Sequence, residues 1–369
     1  MAKTESTVGC ANLWQGVKDT ANAFGVLEPY LEPTIRPLIK MKTVQILLLR
    51  EALDYLILRT EDTREINEVV TPSTRTQKDK DDRDIPVGEI RRVAFLGGKQ
   101  KSVESRELER LLRTMSESSG FAQTEKQQRT VKNEKISDCY LKDRLCLRCP
   151  RCGLFGATSM GDDANIKHRI EYSSAFSLLP YEEITDEVTF NAINDRLQTT
   201  GSKGEGFALG TRPCVRPGTL FASIVTLRSA TPHELMLVLK VLLSARSYGA
   251  ESRTAGDLRN HIVGIIGGLE EVITPLEFTL ECEKQLDKIA KEKERVTVIE
   301  EAVATYWRIC SQPSQVLLLS ASGEKGDSKL RIENGLATLL QAVREYSIGK
   351  EFLERAYKDV ADLRAAQGV

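Results

Sequence analysis

Four cysteines crowded into fourteen residues constrain this chain more than any other feature. Cys139, Cys146, Cys149 and Cys152 are spaced C-x6-C-x2-C-x2-C. A C-x2-C pair lets two thiolates approach one ion, and four thiolates form the closed tetrahedral shell of a structural zinc site. Pro150 and Gly153 suit a tight ligand-bearing turn, since glycine takes positive φ without steric cost. Four thiolates around Zn2+ leave a formal charge of about −2. Arg144, Arg148 and Arg151 are placed to offset it or to reach a phosphate. The gap after Cys139 is the loosest part of the pattern, so His168 is an alternative ligand to Cys139. A redox pair, an iron–sulfur centre and unligated thiols are the rival readings. A closed shell leaves no position for substrate, so catalysis at the metal is not expected. Cys10, Cys214, Cys282 and Cys310 stand alone and read as packed side chains.

The 369 residues carry a net charge of −1, but the charge is unevenly spread. Ile90 to Arg113 holds seven Lys/Arg against three Asp/Glu, and Lys126 to Arg151 holds eight against three. Glu61 to Asp84 is acidic, with eight against five basic residues. Binding follows the local field rather than the total. No stretch approaches the roughly 20 apolar residues of a membrane span. Met1 to Gly25 does not read as a secretion signal, so a reducing cytoplasm is the expected setting, and it favours metal ligation over disulfides.

Thr43 to Leu49 reads as a buried strand, with Tyr55 to Arg59 continuing or pairing it. Thr60 to Asp84 is polar and reads as a long mobile loop. Ile85 to Leu96 returns to strand-like alternation and ends at Gly97-Gly98. A helix follows, with Ser102 as the expected N-cap and Leu108, Leu111, Leu112 and Met115 on one face. Arg106, Arg110 and Arg113 fall at i, i+4 and i+7 on the opposite face. Lys126 to Cys152 looks too irregular for core structure, and Thr199 to Pro217 reads as an extended basic loop or hairpin. Thr219 to Leu227 is a strand, and Thr231-Pro232-His233-Glu234 opens a helix with a capping box. His261 to Ile266 is a further strand, and beyond Pro275 the chain reads as mainly helical, interrupted by a loop from Ser320 to Ser328. Strands separated by helices indicate an α+β fold.

Enzyme chemistry is scarce. His168, His233 and His261 form no catalytic arrangement. The turn Gly97 to Ser102 fails as a phosphate loop, because Val93 and Gln100 occupy its first glycine and hydroxyl positions. Asp79, Asp81, Asp82 and Asp84 could bind a divalent ion, although acidic loop residues are usually just solvated.

Several segments, in order, resemble one family. Cys149-Pro150-Arg151-Cys152-Gly153-Leu154-Phe155-Gly156 resembles the cysteine-then-Phe-Gly signature of the backbone subunits of CRISPR effector complexes. Gly98 to Ser102, running into Arg106 and Arg110, resembles their Gly-Ser-Lys helix start. Pro217 to Phe221 resembles the strand after their thumb hairpin, and Tyr248 to Gly256 the turn before a core strand. The cysteine-rich insertion and helical tail make the whole similar to the subtype I-D backbone subunits of the CRISPR-RNA-binding RAMP superfamily.

The resemblance implies an RNA-recognition-motif-like, ferredoxin-like core, built from 1–120, 161–180 and 218–275. It implies a zinc-binding insertion at 121–160, a thumb at 181–217 and a helical domain at 276–369. It also implies a non-enzymatic subunit that oligomerises along CRISPR RNA beside the other effector subunits. Such a subunit presents the guide to target DNA or RNA, and the resemblance gives it no membrane role. Carried over by position, Lys99, Lys101, Ser102 and Arg106 grip the guide backbone, and the helical stripe adds Arg110 and Arg113. Arg246, Arg253 and Arg259 flank the second glycine-containing turn, and Lys203 and Arg212 lie in the thumb. Two alternatives stand beside this reading: target-RNA cleavage by a loop aspartate, and a zinc-containing protein adaptor.

Overall fold

The computed structural model describes residues 24–59, 65–131, 134–136, 139–140, 145–158, 165–190, 210–249, 256–321 and 330–368. Strand β1 (Thr43–Ala52) is followed by β2 (Glu68–Pro72), the β3–β4 hairpin (Thr76–Lys78, Asp84–Pro86) and β5 (Glu89–Phe95). Helices α1 (Gly97–Ser119) and α2 (Gln123–Gln127) lead to the β6–β7 pair (Arg129–Val131, Glu134–Ile136) and to α3 (Pro150–Phe155). Then come β8 (Ile170–Tyr172), β9 (Ala175–Ser177), α4 (Tyr181–Ile184) and the paired β10 (Thr185–Phe190) and β11 (Gly210–Val215). β12 (Leu220–Arg228), α5 (Pro232–Ser244) and β13 (Leu258–Gly268) follow. The C-terminal part holds α6 (Pro275–Lys284), α7 (Leu286–Ala290), α8 (Glu292–Trp307), β14 (Leu317–Ser320), β15 (Arg331–Asn334), α9 (Leu336–Glu345) and α10 (Lys350–Ala366).

One nine-stranded sheet organises these elements, in the order β15-β14-β13-β1-β12-β9-β5-β2, with β8 also pairing β12. β1 lies at its centre, antiparallel to both β12 and β13. The near-continuous apolar run of β1 is what burial on both faces requires. Because strand side chains alternate, Val44, Ile46 and Leu48 enter one core and Leu47 and Leu49 the other. The first core lies under α1, α5, α9 and α10 and reaches the cysteine cluster. The second is covered by α6 and α8. Each fully buried Leu or Ile contributes about 1.5–3 kcal/mol by leaving water, so β1 alone ties the two layers firmly together.

Three arginine–glutamate pairs are sealed inside this sandwich. Arg50 on β1 meets Glu104 of α1 at 2.7 Å, with both side chains fully buried. Arg92 of β5 meets Glu283 of α6 at 2.6 Å, and Glu283 also accepts from Ser73 and Thr74, which pins the β2–β3 turn. Arg169 grips Glu234, the capping-box residue of α5, and donates to the Gly153 carbonyl at 3.0 Å. Among the described residues, no helix is long and apolar enough to cross a membrane.

Several expectations change. The polar stretch read as a loop over 60–84 carries β2, β3 and the first residue of β4 within its described part, and β2 pairs with β5 at the sheet edge. An edge strand meets the core on little of its surface, which explains its polar sequence. Tyr55 to Arg59 is not a strand; Leu56 forms a single bridge to Val215. Ser102 does not cap α1, which starts five residues earlier at Gly97. The tail contributes β14 and β15 to the sheet as well as helices. The irregular cysteine-rich segment still holds the short helix α3.

Candidate metal centre and basic helix face

The four cysteines of the spacing pattern converge. Their sulfurs all lie within 4.8 Å of one another, and all four side chains are buried. Four sulfurs at about 2.3 Å from a tetrahedral zinc stand about 3.8 Å apart. The separations Cys139–Cys152 of 3.5 Å, Cys149–Cys139 of 3.7 Å and Cys146–Cys152 of 4.0 Å bracket that value. His168 is exposed and outside the group, so Cys139 is the fourth sulfur.

The local chain is built to present sulfur. Cys149 is the N-cap of α3, with Pro150 at its first position, and its sulfur accepts the Cys152 amide at 3.4 Å. The Arg148 amide donates to the Cys146 sulfur at 3.4 Å, and the Cys146 amide to the Cys139 sulfur at 3.4 Å. Leu147 takes a positive φ of 56° to close the first knuckle. Gly153 packs where a Cβ would stand 2.8 Å from Val360 of α10, so this turn must lie directly against the C-terminal helix.

Hydrogen bonds from the other three thiols, Cys139 first, pull the Cys152 thiol well below its ordinary range, and Arg151 adds to this. Burial pushes Cys149 up, and its hydrogen bond to Cys146 pushes Cys139 up. One thiolate thus suppresses ionisation of its neighbours, and a bound dication is what lets all four ionise together. Glu109 of α1 approaches Cys149 at 3.8 Å, and burial pushes its carboxyl up to about 7, with Arg113 opposing. The spacing did not point to Glu109, which lies forty residues before Cys149.

The same helix carries the predicted cations. Gly97 starts it where a Cβ would stand 2.2 Å from the Tyr172 carbonyl oxygen. Buried Gln100 fixes the first turn through the Phe95 and Ser173 carbonyls. Leu108 and Leu112 are buried as expected, which turns Arg106, Arg110 and Arg113 to solvent. Among the described residues, Lys99, Lys101 and Arg106 have no carboxylate at ion-pair distance. Arg110 meets Glu107 at 3.4 Å, Arg113 donates to the Cys139 carbonyl at 2.7 Å, and Ser102 bonds the Lys99 carbonyl. Burial, followed by repulsion from Arg151, holds Lys101 below its ordinary range. Like charges are therefore held together here, and Arg151 is fixed by Ser105 of α1 at 2.8 Å.

The other predicted cations lie elsewhere. Arg212 sits on β11, while Lys203 and Arg253 fall outside the described residues. Arg246 and Arg259 line a groove of about 590 Å³ at the β13 edge, together with Arg295 and Arg344. The last two lie in helices far along the chain, where nothing in their local sequence marks them. The four aspartates are engaged in local pairs: Asp79 and Asp81 with Arg83 at 2.9 and 2.6 Å, Asp82 and Asp84 with Lys78 at 3.8 and 3.2 Å.

Together these features define an α+β protein with a closed four-cysteine centre braced against a basic helix. A family model described as Csc2 Crispr matches residues 30–357, and the chain belongs to that family. The crystal structure of Thermofilum pendens Csc2 shares its fold, at 21% identity and a TM-score of 0.54, over 92% of this chain and 96% of that one. A chain of a CRISPR RNA-guided surveillance complex is similar at 11% identity and a TM-score of 0.44, over 82% of this chain and 98% of that one. No curated protein matches the chain.

Proposed function

We propose that the chain is a non-catalytic backbone subunit of a CRISPR effector complex, acting in the cytoplasm and gripping the sugar–phosphate chain of CRISPR RNA through α1. Membership of a CRISPR family supports the setting. The observation that carries the grip is that Lys99, Lys101 and Arg106 have no ion-pair partner among the described residues, on a helix clamped to the core, with Arg106 on its exposed face and the two lysines half-buried in its first turns. Phosphate contacts position RNA without reading it. Sequence choice then passes to pairing between guide and target DNA or RNA.

The four cysteines bind one structural Zn2+, which fixes Arg151 beside Lys101. The strand order β13-β1-β12-β9, with α1 and α5 over one face, supports a ferredoxin-like, RNA-recognition-type core. The β10–β11 pair supports a thumb, and copies of the chain assemble along the guide with other effector subunits. The local pairing of Asp79, Asp81, Asp82 and Asp84 favours this reading over cleavage by a loop aspartate.

The test is RNA affinity against salt for the chain and for a Lys99→Ala, Lys101→Ala, Arg106→Ala variant. Single-stranded binding loses about 0.7 in log–log salt slope per phosphate contact, so the slope should become shallower by about 2. The loss should be equal for unrelated RNA sequences. An unchanged slope, or a loss confined to some sequences, would refute the grip.

A further inference from the structure

The groove holding Arg246 and Arg259 is a feature of the sheet as much as of its charge. β14 is short and pairs with β13 only at Ile265, Ile266 and Gly267. Among the described residues, no strand covers the outer side of β13 from Arg259 to Val263, and a register shift in its pairing with β1 falls at Val263. That open edge is the floor of the groove, one wall coming from α8 and the other from α9. These helices belong to opposite layers of the sandwich, so the space between them continues the line of the sheet.

The lining has one dominant sign. Arg246, Arg259, Arg295 and Arg344 face a single lining carboxylate, Glu292. Among the described residues, Arg246, Arg259 and Arg344 have no ion pair, whereas His261 is occupied by Glu51 at 2.7 Å. Between the cations, Val263, Leu336 and Leu340 supply apolar contact. An open edge offers backbone donors and acceptors in alternation, and another strand is the group that answers both. An RNA chain provides phosphate acceptors for the arginines, but its 2′-hydroxyl and base donors do not repeat at the spacing of a strand's alternating N–H and C=O groups.

We infer that this slot docks an extended, acidic segment of a partner protein by adding it as a strand to β13. Alternate side chains enter the apolar walls, and carboxylates at the ends of the segment meet the four guanidiniums. This site is separate from the basic face of α1, because β1 and β12 lie between β13 and the strands beside α1.

The test selects a display library of short random peptides against the full chain, then measures the recovered peptides in solution. Acidic peptides with interspersed β-branched residues should be enriched. Their affinity should fall at least about tenfold in an Arg259→Glu, Arg344→Glu variant, and as much when alternate peptide amides are N-methylated. Both substitutions lie on exposed side chains, and an unchanged circular dichroism spectrum checks the fold. The inference is overturned if no acidic class is enriched, if charge reversal leaves affinity unchanged, or if N-methylation has no effect. An oligouridine that displaces the peptide and is lost in the same variant would instead make the slot a nucleic-acid site and overturn it equally. Loss of RNA binding on changing Lys99, Lys101 and Arg106 is a separate readout.

Discussion

Adjacent glycines at the start of α1 have opposite roles. A Cβ on Gly97 would stand 2.2 Å from the Tyr172 carbonyl oxygen, a rigid neighbour, whereas one on Gly98 meets nothing within 4 Å. Gly97→Ala should therefore destabilise by about 1–3 kcal/mol through forced backbone movement. Gly98→Ala should be neutral or stabilise by about 0.4–1 kcal/mol through the unfolded chain. Urea denaturation of the two variants checks both signs. A second residue-scale case is Asp359 on α10. Burial pushes its carboxyl up to about 7, with Glu234 and Asp362 reinforcing and Arg355 and Arg169 opposing. His233 of α5 lies 3.9 Å away, and burial brings it down to about 3. Between the ordinary carboxylate value and pH 7, the folded protein holds a proton at Asp359 that the unfolded chain has lost. Stability therefore falls as pH rises through that window. His233 acts in the opposite sense, costing stability as pH falls below its ordinary value. Asp359→Asn should raise stability at pH 8 by on the order of 1–4 kcal/mol and change little at pH 4. Denaturation curves giving the same difference at both pH values would sink this account. At this scale the sequence was a good guide to the four thiols, whose spacing is local. It was blind to Glu109, Arg295 and Arg344, which reach their sites only through tertiary packing.

Helices with explicit ends were legible as elements. The Thr231 capping box, with Pro232 at the first helical position, opens α5 as its residues dictate. The start of α1 was misplaced because a hydroxyl at Ser102 looks like a cap, while the actual first turn is set by Gly97 and the side chain of Gln100. β2 and β3 were hidden for a different reason: their described side chains are largely exposed, so they lack apolar alternation. What joins elements is equally invisible in the sequence. Arg169 donates to Glu234 of α5, to Ser229 and to the Gly153 carbonyl in α3, coupling the cysteine turn to a core helix. Arg169→Met leaves Glu234 as a buried, uncompensated carboxylate and should cost about 3–5 kcal/mol. Adding Glu234→Gln should restore a large part of that loss. Arg110→Ala, on the exposed stripe, should stay within about 0.5 kcal/mol. Urea midpoints for the three variants separate the cases, and a double variant no better than Arg169→Met alone would contradict the coupling.

Over the whole molecule, β1, its neighbours β12 and β13, and β14 divide two layers, each strand sending alternate side chains into the cores on either side. Cys139, Cys146, Cys149 and Cys152 belong to the same core as α1, α5, α9 and α10, while α6 and α8 close the other face. This division follows from strand alternation along β1, but the sequence showed only an apolar run and a helical tail. The strands β14 and β15 within that tail are short and were lost among helices. The architecture makes the consequence of metal loss one-sided. Without a dication the cluster reverts to thiols that suppress one another's ionisation, and the turn before α3 loses its cross-link. α3 packs on α1 and α10, so loosening should spread into those helices and free Arg151 from Ser105. α6 and α8 are held by Phe278, Ile299 and the Arg92–Glu283 pair, none of which touches the cluster. Hydrogen exchange after chelation should therefore show lost protection in α3 and the adjoining turns of α1 and α10, with α6 and α8 unchanged. Protection falling equally in both layers would mean that the cysteine centre supports the entire sheet, and unchanged protection everywhere would mean that it bears no structural metal.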